Sequence, residues 1–278
     1  MSGTLLLPVK LVDKKGPIEK AGFVSRCEQL PLLTRPCDRL YCGNEFCERL
    51  LPGWDDLQKA AAWATERAIP MTLVTPFVTD QGLQAIAQLL EKASGLGCLD
   101  EVVFNDWGVL SFLSERPGRF SPVLGRLLTK QKRGPRILLM RKKAPAEMLA
   151  HFRRMSADSE RFSAFLFQRG VKRIELDNLL QGIERTSKTA ASLYLPYAYV
   201  STTRYCLTAY AASDNPYFRK IGPCQRQCRK YTFELRDKGM PVTLLMKGNT
   251  YFFENRSVPE NLEELGIDRI VEMPALPM

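Results

Sequence analysis

The residues whose spacing suggests chemistry lie late in the chain. Cys206, Cys224 and Cys228 fall in the stretch PYAYVSTTRYCLTAYAASDNPYFRKIGPCQRQCR, residues 196–229, which holds three of the eight cysteines. Cys224 and Cys228 form a C-x3-C pair directly behind Gly222-Pro223. That dipeptide favours a turn, so both thiols are expected on one short bend. Arg204, Arg219, Lys220, Arg226, Arg229 and Lys230 surround them, and nearby positive charge favours thiolate, the form that binds metal. Three thiolates from one segment would cap three corners of an iron–sulfur cluster or fill three places on zinc. A fourth ligand must come from elsewhere.

Cys47 is the best candidate. It follows an apolar run, Leu40-Tyr41-Cys42, that breaks at Gly43-Asn44 as a strand breaks into a loop. Parallel α/β proteins place their chemistry at such strand ends. Cys42 competes for the fourth place but lies within the strand. Taken singly, Cys27, Cys37, Cys42 and Cys98 read as small buried hydrophobes.

Residues 199–209 followed by Gly-Pro-Cys-x3-Cys resemble the cysteine signature of the collagenase-like peptidases, family U32. Within it the match is to the UbiV-type branch, which works with a UbiU protein in oxygen-independent ubiquinone synthesis. That branch has an early lone cysteine in a Gly-Glu-x-x-Cys context. Gly43-Asn44-Glu45-Phe46-Cys47 resembles this, with Asn44 standing where Glu is expected. It then has a later cysteine, a gap and a Cys-x3-Cys pair, matched by Cys206, Cys224 and Cys228. Arg204-Tyr205 replaces the branch's Gly/Ala-Arg before that cysteine, and the gap to Cys224 is slightly longer. The resemblance covers residues 40–246. It implies a 4Fe-4S cluster on Cys47, Cys206, Cys224 and Cys228, a barrel-like fold, and a part in oxygen-independent hydroxylation. It also implies a UbiU-like partner and an anionic hydroxyl donor such as prephenate. The alternatives it leaves open are a non-catalytic partner subunit, a peptidase, and an RNA-modifying or RNA-binding factor. Four thiolates suit zinc equally, so zinc stays the alternative metal.

Composition narrows these readings. The 278 residues, 45% of them apolar, are enough for one sizeable core. No apolar run reaches the length of a membrane span. The start of the chain lacks a signal-peptide pattern, so a cytoplasmic protein is expected, where eight cysteines do not suggest a disulfide framework. The net charge of +10 favours anionic partners without choosing among phosphates, carboxylates and nucleic acid. The single histidine, His151, must serve any Ser-His or Cys-His enzyme, and it sits in a helical stretch beside Phe152. No nucleophile–base pair is legible.

These residues need elements to position them. Strands are expected at residues 4–12, 38–43, 70–78, 101–105, 122–128, 172–176, 192–200 and 268–273. Helices are expected at 18–30, 55–67, 80–92, 109–113, 147–168 and 260–265. Residues 231–254 read as hairpins, with turns at Lys238-Gly239 and Gly248-Asn249. The alternation fits a (β/α)8, TIM-barrel-like α/β fold with a hairpin insertion at 230–255, in a single domain spanning 1–278.

Strand ends of such a barrel share one face. On this reading that face collects Cys47, Thr75-Pro76, Asn105, Asp106, Arg126, Glu175, Asp177, Arg204 and Cys206. Arg126, a charge within an apolar strand, is the leading contact for an anionic substrate. Asn105 and Asp106 could instead cap the following helix. Glu175 and Asp177 share a strand face at period two and could pair with arginines. The basic stretch 130–143 reads as a solvated loop or, more sharply, a nucleic-acid surface without the interleaved aromatics that single-strand binders show.

Overall fold

The computed structural model describes residues 18–210, apart from 142 and 188, and residues 224–278; of Tyr210 only the backbone is described. The expected strand at 4–12 lies outside the described residues. In chain order the elements are β1 (Glu19–Val24), β2 (Arg39–Gly43), α1 (Trp54–Glu66), β3 (Met71–Val74), α2 (Asp80–Ala93), β4 (Leu99–Phe104), α3 (Trp107–Ser114) and β5 (Ser121–Leu124). They continue as α4 (Ile137–Met140), α5 (Ala146–Arg153), α6 (Glu160–Gln168), β6 (Arg173–Asp177), β7 (Ala190–Leu195) and β8 (Tyr197–Thr202). The last are β9 (Phe233–Leu235), β10 (Leu244–Lys247), β11 (Thr250–Glu254) and β12 (Ile267–Glu272).

Eight strands close a parallel barrel in the order β1-β12-β7-β6-β5-β4-β3-β2, the TIM-barrel-like α/β architecture expected. The other four form an antiparallel sheet, β8-β11-β10-β9. The excursion from β7 to β12 therefore carries a sheet where a barrel ordinarily carries a crossover helix.

Residue types explain the layers. Strand side chains alternate, so every second residue faces the barrel interior. Ala21, Phe23, Tyr41, Val74, Val103, Val123, Tyr194, Val271 and Met273 fill its middle. The intervening positions, among them Val24, Cys42, Leu73, Val102, Leu176 and Ile270, join the core between strands and helices. There α1 contributes Leu57, Ala60, Ala61 and Ala64, the stripe its sequence spacing gives.

Four elements differ from the sequence reading. Residues 18–30 begin as β1 and end as a 3-10 turn, Cys27–Leu32, rather than a helix. Ala21 and Phe23 face inward at period two, and Pro31 stops helical continuation. The 147–168 helix is two helices, α5 and α6. Arg154 and Met155 between them are extended, and Met155 pairs with Gln131. Ser156, Asp158 and Ser159 are residues that favour turns and caps over helix interiors. The 192–200 strand is split at the cis Leu195–Pro196 bond, with β7 in the barrel and β8 in the other sheet. Residues 260–265 form turns rather than a helix. Thr79 caps α2 by accepting from Gly82 N.

Gly43 ends β2 at φ +137°, and a Cβ there would stand 2.1 Å from Val74 O. A side chain meets both backbone strain and a clash with the neighbouring strand. Gly43→Ala is expected to destabilise the fold by at least the roughly 1–3 kcal/mol of a strained backbone residue, read as a lowered midpoint in chemical denaturation.

Candidate metal centre at the barrel mouth

One fully buried charge organises the mouth. Arg126, just past β5, is 0% exposed. Its Nε and Nη2 grip both oxygens of Glu45, the Nε bond at 3.0 Å. Its Nη1 donates to Asp177 Oδ1 at 2.8 Å and to Tyr197 O at 3.0 Å. The Tyr194 ring lies 4.0 Å below the guanidinium. Arg133 donates to the other Asp177 oxygen at 2.7 Å and to Arg126 O at 2.6 Å. Two guanidiniums thus face two carboxylates, and the buried charges cancel. Burial works against the charged guanidinium of Arg126, but Glu45 and Asp177 more than offset it and hold its pKa above the ordinary arginine value.

Each expected mouth residue has a definite place. Asp177 is taken by Arg126, Arg133 and Tyr199 N. Asp106 caps α3 by accepting from Gly108 N, and also holds Val78 N. Asn105 lies across Gly125, donates to Thr75 O and accepts from Leu127 N, tying three strand ends together. Glu175 lies deeper inside, accepting from Tyr41 OH and Ser192 Oγ. Burial pushes its carboxyl up to about 8, against the pull of Arg269 and Arg173. Arg204 is exposed, with Nη2 on Val78 O. In the basic stretch 130–143, Arg133 is spent internally on Asp177. His151 is exposed on α5 with its ring against Phe152.

The four cysteines come from three separate segments. Cys47 follows β2, Cys206 follows β8, Cys224 precedes the 3-10 turn Gln227–Arg229, and Cys228 lies within it, before β9. Asn44 Oδ1 accepts from both Phe46 N and Cys47 N at 2.9 Å, shaping the first loop. Asn44 therefore does local work at the position where the sequence pattern had Glu. The Gly248-Asn249 turn between β10 and β11 joins the segments. Asn249 Nδ2 donates to Phe46 O at 2.8 Å and to Thr203 O. Gly248 O accepts from Thr208 N and Oγ1, and its Cα packs near Cys228. Sequence reasoning saw only a hairpin in Gly248-Asn249. Nothing in a Gly-Asn dipeptide says which distant loops its amide will reach.

The thiols lie within one another's electrostatic reach. Burial pushes Cys47 up to about 11, and Cys228, Cys206 and Cys224 each add to the shift. Burial also raises Cys206 and Cys228, with Cys224 acting on both. Arg226 N reaches Cys224 Sγ at 3.4 Å. Cys42 is not part of this set; it is buried in the core between strands and helices. Among the described residues, no three His, Cys, Asp or Glu side chains are drawn tightly enough together to hold a metal ion. The larger described groove lies at the opposite, strand-N-terminal end, lined by Arg119, Arg169, Lys172 and Arg173 among others.

No family profile and no curated protein matches the chain. Among solved structures, it is similar to the U32 peptidase Mk0906 at 12% identity over 99% of both chains, with a TM-score of 0.48. It is similar to a type I 3-dehydroquinate dehydratase from Clostridium difficile at 8% identity over 65% of this chain and 64% of that one, with a TM-score of 0.36. A Trichuris suis chitinase shares 10% identity over 91% of both chains, with a TM-score of 0.39. These likenesses are of low identity and loose superposition, and say nothing of activity. No described helix is long and apolar enough to cross a membrane.

Two outcomes follow from the buried groups. Arg126→Met leaves Glu45 without its cation and Asp177 with Arg133 alone, and a loss of about 3–5 kcal/mol in denaturant unfolding is expected. Glu175 stays protonated in the fold where an unfolded carboxyl has ionised. Its contribution is complete below about pH 4.5 and is lost as pH rises through about 8. Glu175→Gln cannot ionise, so its stability relative to wild type should rise between pH 5 and 8, by at most about 1.4 kcal/mol per pH unit.

Proposed function

We propose that this chain is a four-thiolate iron–sulfur protein of the collagenase-like peptidase (U32) type, acting in oxygen-independent hydroxylation. The observation that carries the reading is the Gly248-Asn249 turn, which bonds to the Cys47 loop through Phe46 O and to the Cys206 segment through Thr203 O and Thr208, and lies beside Cys228. Four thiolates brought to one place would suit a 4Fe-4S cluster, with these four cysteines as its holders.

When bound, such a cluster supplies one-electron transfer, or a Lewis-acidic iron if one position opens to a ligand. The chain's own residues do the rest. Asn44, Asn249 and Thr208 fix the three loops that present the thiols. Arg49 acts electrostatically on Cys206 and Lys247 on Cys228, each favouring the thiolate. The aromatic cluster of Phe46, Tyr199 and Phe252 underlies the site and keeps water from its inner side. An anionic hydroxyl donor such as prephenate would meet exposed Arg204 rather than Arg126, whose donors already serve Glu45 and Asp177. A UbiU-like partner belongs to the same reading, and zinc is its rival for the four thiolates.

Anaerobic purification followed by iron and acid-labile sulfide analysis tests it. Iron and sulfide are expected in similar amounts, near four of each per chain. Zinc without sulfide would favour the rival metal. Cys47→Ala should lose most of the iron, while Cys98→Ala should keep it. Full iron in Cys47→Ala after anaerobic reconstitution would refute the assignment.

A further inference from the structure

The segment between β5 and β6 carries two helices that bury little. α5 has no fully buried residue, and α4 has one, Ile137. A helix gains most of its stability by packing an apolar face, so α5 is short of cover on this barrel. The segment exposes aliphatic side chains instead. Leu139 is 57% exposed and its neighbour Met140 44%, at the end of α4, and Met148 of α5 is 41% exposed. Lys143 N and Ala144 N both return to Met140 O, at 2.9 and 2.8 Å, so one tight turn leads from α4 toward α5. Cations flank the apolar pair. Lys132 and Arg136 precede it, Arg141 and Lys143 follow it, and all four are exposed. Among the described residues, the ion pairs of this segment belong to Arg133 and Arg154 instead. Glu147 is the single acidic residue between Lys130 and Arg154.

We propose that the α4–α5 segment docks the protein onto an anionic phospholipid surface. Leu139 and Met140 enter the boundary between headgroups and acyl chains, while Lys132, Arg136, Arg141 and Lys143 meet the headgroup phosphates. The combination of side-chain types selects this occupant. Nucleic acid would meet the same cations, but aliphatic side chains gain little from a phosphate backbone. Single-strand binders expose rings that stack on bases, whereas Phe152 is half-buried, with Lys132 Nζ 6.0 Å from its ring centre. A lipid surface offers both complements at once, negative charge lying directly over hydrocarbon. Lysine and arginine suit that boundary, because their apolar stems lie along hydrocarbon while the charged heads reach phosphate. The contact lies on the membrane and spans nothing, as a short helix requires. It uses none of the four cysteines, so it stands independently of the metal reading.

Cosedimentation of the full chain with vesicles tests it. Vesicles of phosphatidylglycerol and phosphatidylcholine should pellet the protein, and phosphatidylcholine alone should not. Arg141→Gln with Lys143→Gln should weaken binding by roughly 10–30-fold at low salt. Lys59→Gln with Lys92→Gln removes the same charge from exposed positions on α1 and α2, and should weaken it far less. Leu139→Ser with Met140→Ser should abolish pelleting with an unchanged far-UV spectrum, whereas Phe167→Ser, at a side chain 73% exposed on α6, should bind as wild type does. Leu139→Trp adds emission that brominated phosphatidylcholine in the vesicles should quench, a readout that stands if the double serine variant does not fold. Equal pelleting by neutral and anionic vesicles, no pelleting by either, or undiminished binding in the folded double serine variant would overturn the proposal. So would single-stranded RNA that holds the chain against the anionic vesicles.

Discussion

The mouth of this barrel depends on the buried guanidinium of Arg126. A charge with no exposure to water persists only if its surroundings are charged, complementary and fully hydrogen-bonded. Glu45, Asp177 and the Tyr197 carbonyl meet that demand from the loop after β2, the end of β6 and the start of β8. Those are the segments from which Cys47 and Cys206 extend. The interaction that satisfies one charge therefore also sets where two of the thiol-bearing loops leave the barrel. Tyr199 reinforces it, donating through its hydroxyl to Arg126 O and stacking against Arg133 at 4.2 Å.

The rest of the interior follows the same rule in layers. The aromatic and β-branched middle seals the barrel, while its floor is a second charged network. There Arg269 joins Glu19 and Glu101 and donates to Tyr41 OH, and Arg39 joins Glu19 and Asp100. A barrel filled in this way is a packed core rather than a channel. The cysteine loops lie at the rim, beside the antiparallel sheet. That sheet turns the Gly248-Asn249 hairpin toward all three cysteine segments. An insertion in sequence is thus the part of the structure that gathers the site.

Much of this was legible in residue types and spacing. The strand period was readable at β2, β3, β4, β6 and β12, and the helical stripe at α1, because apolar side chains repeat at the spacing of the face they bury. The pairing of Asp177 with arginines was legible on the polar face it shares with Glu175, although which arginines was not; Glu175 itself accepts from Tyr41 and Ser192 instead.

Local signals failed where tertiary contacts decided the outcome. The 18–30 stretch has mixed propensity, and it became strand because Ala21 and Phe23 fill the barrel interior between Tyr194 and Val271. The 147–168 stretch broke because Met155 pairs with Gln131 across a loop. Arg126 looked like a free cation for a substrate, since nothing near it in sequence offers a carboxylate; Glu45 and Asp177 arrive only on barrel closure. The chain by itself determined the barrel class and the thiol inventory, because these rest on periodicity and composition. Only the tertiary structure decided which charges cancel and which turn bonds to the cysteine-bearing loops, because those contacts join residues far apart in sequence.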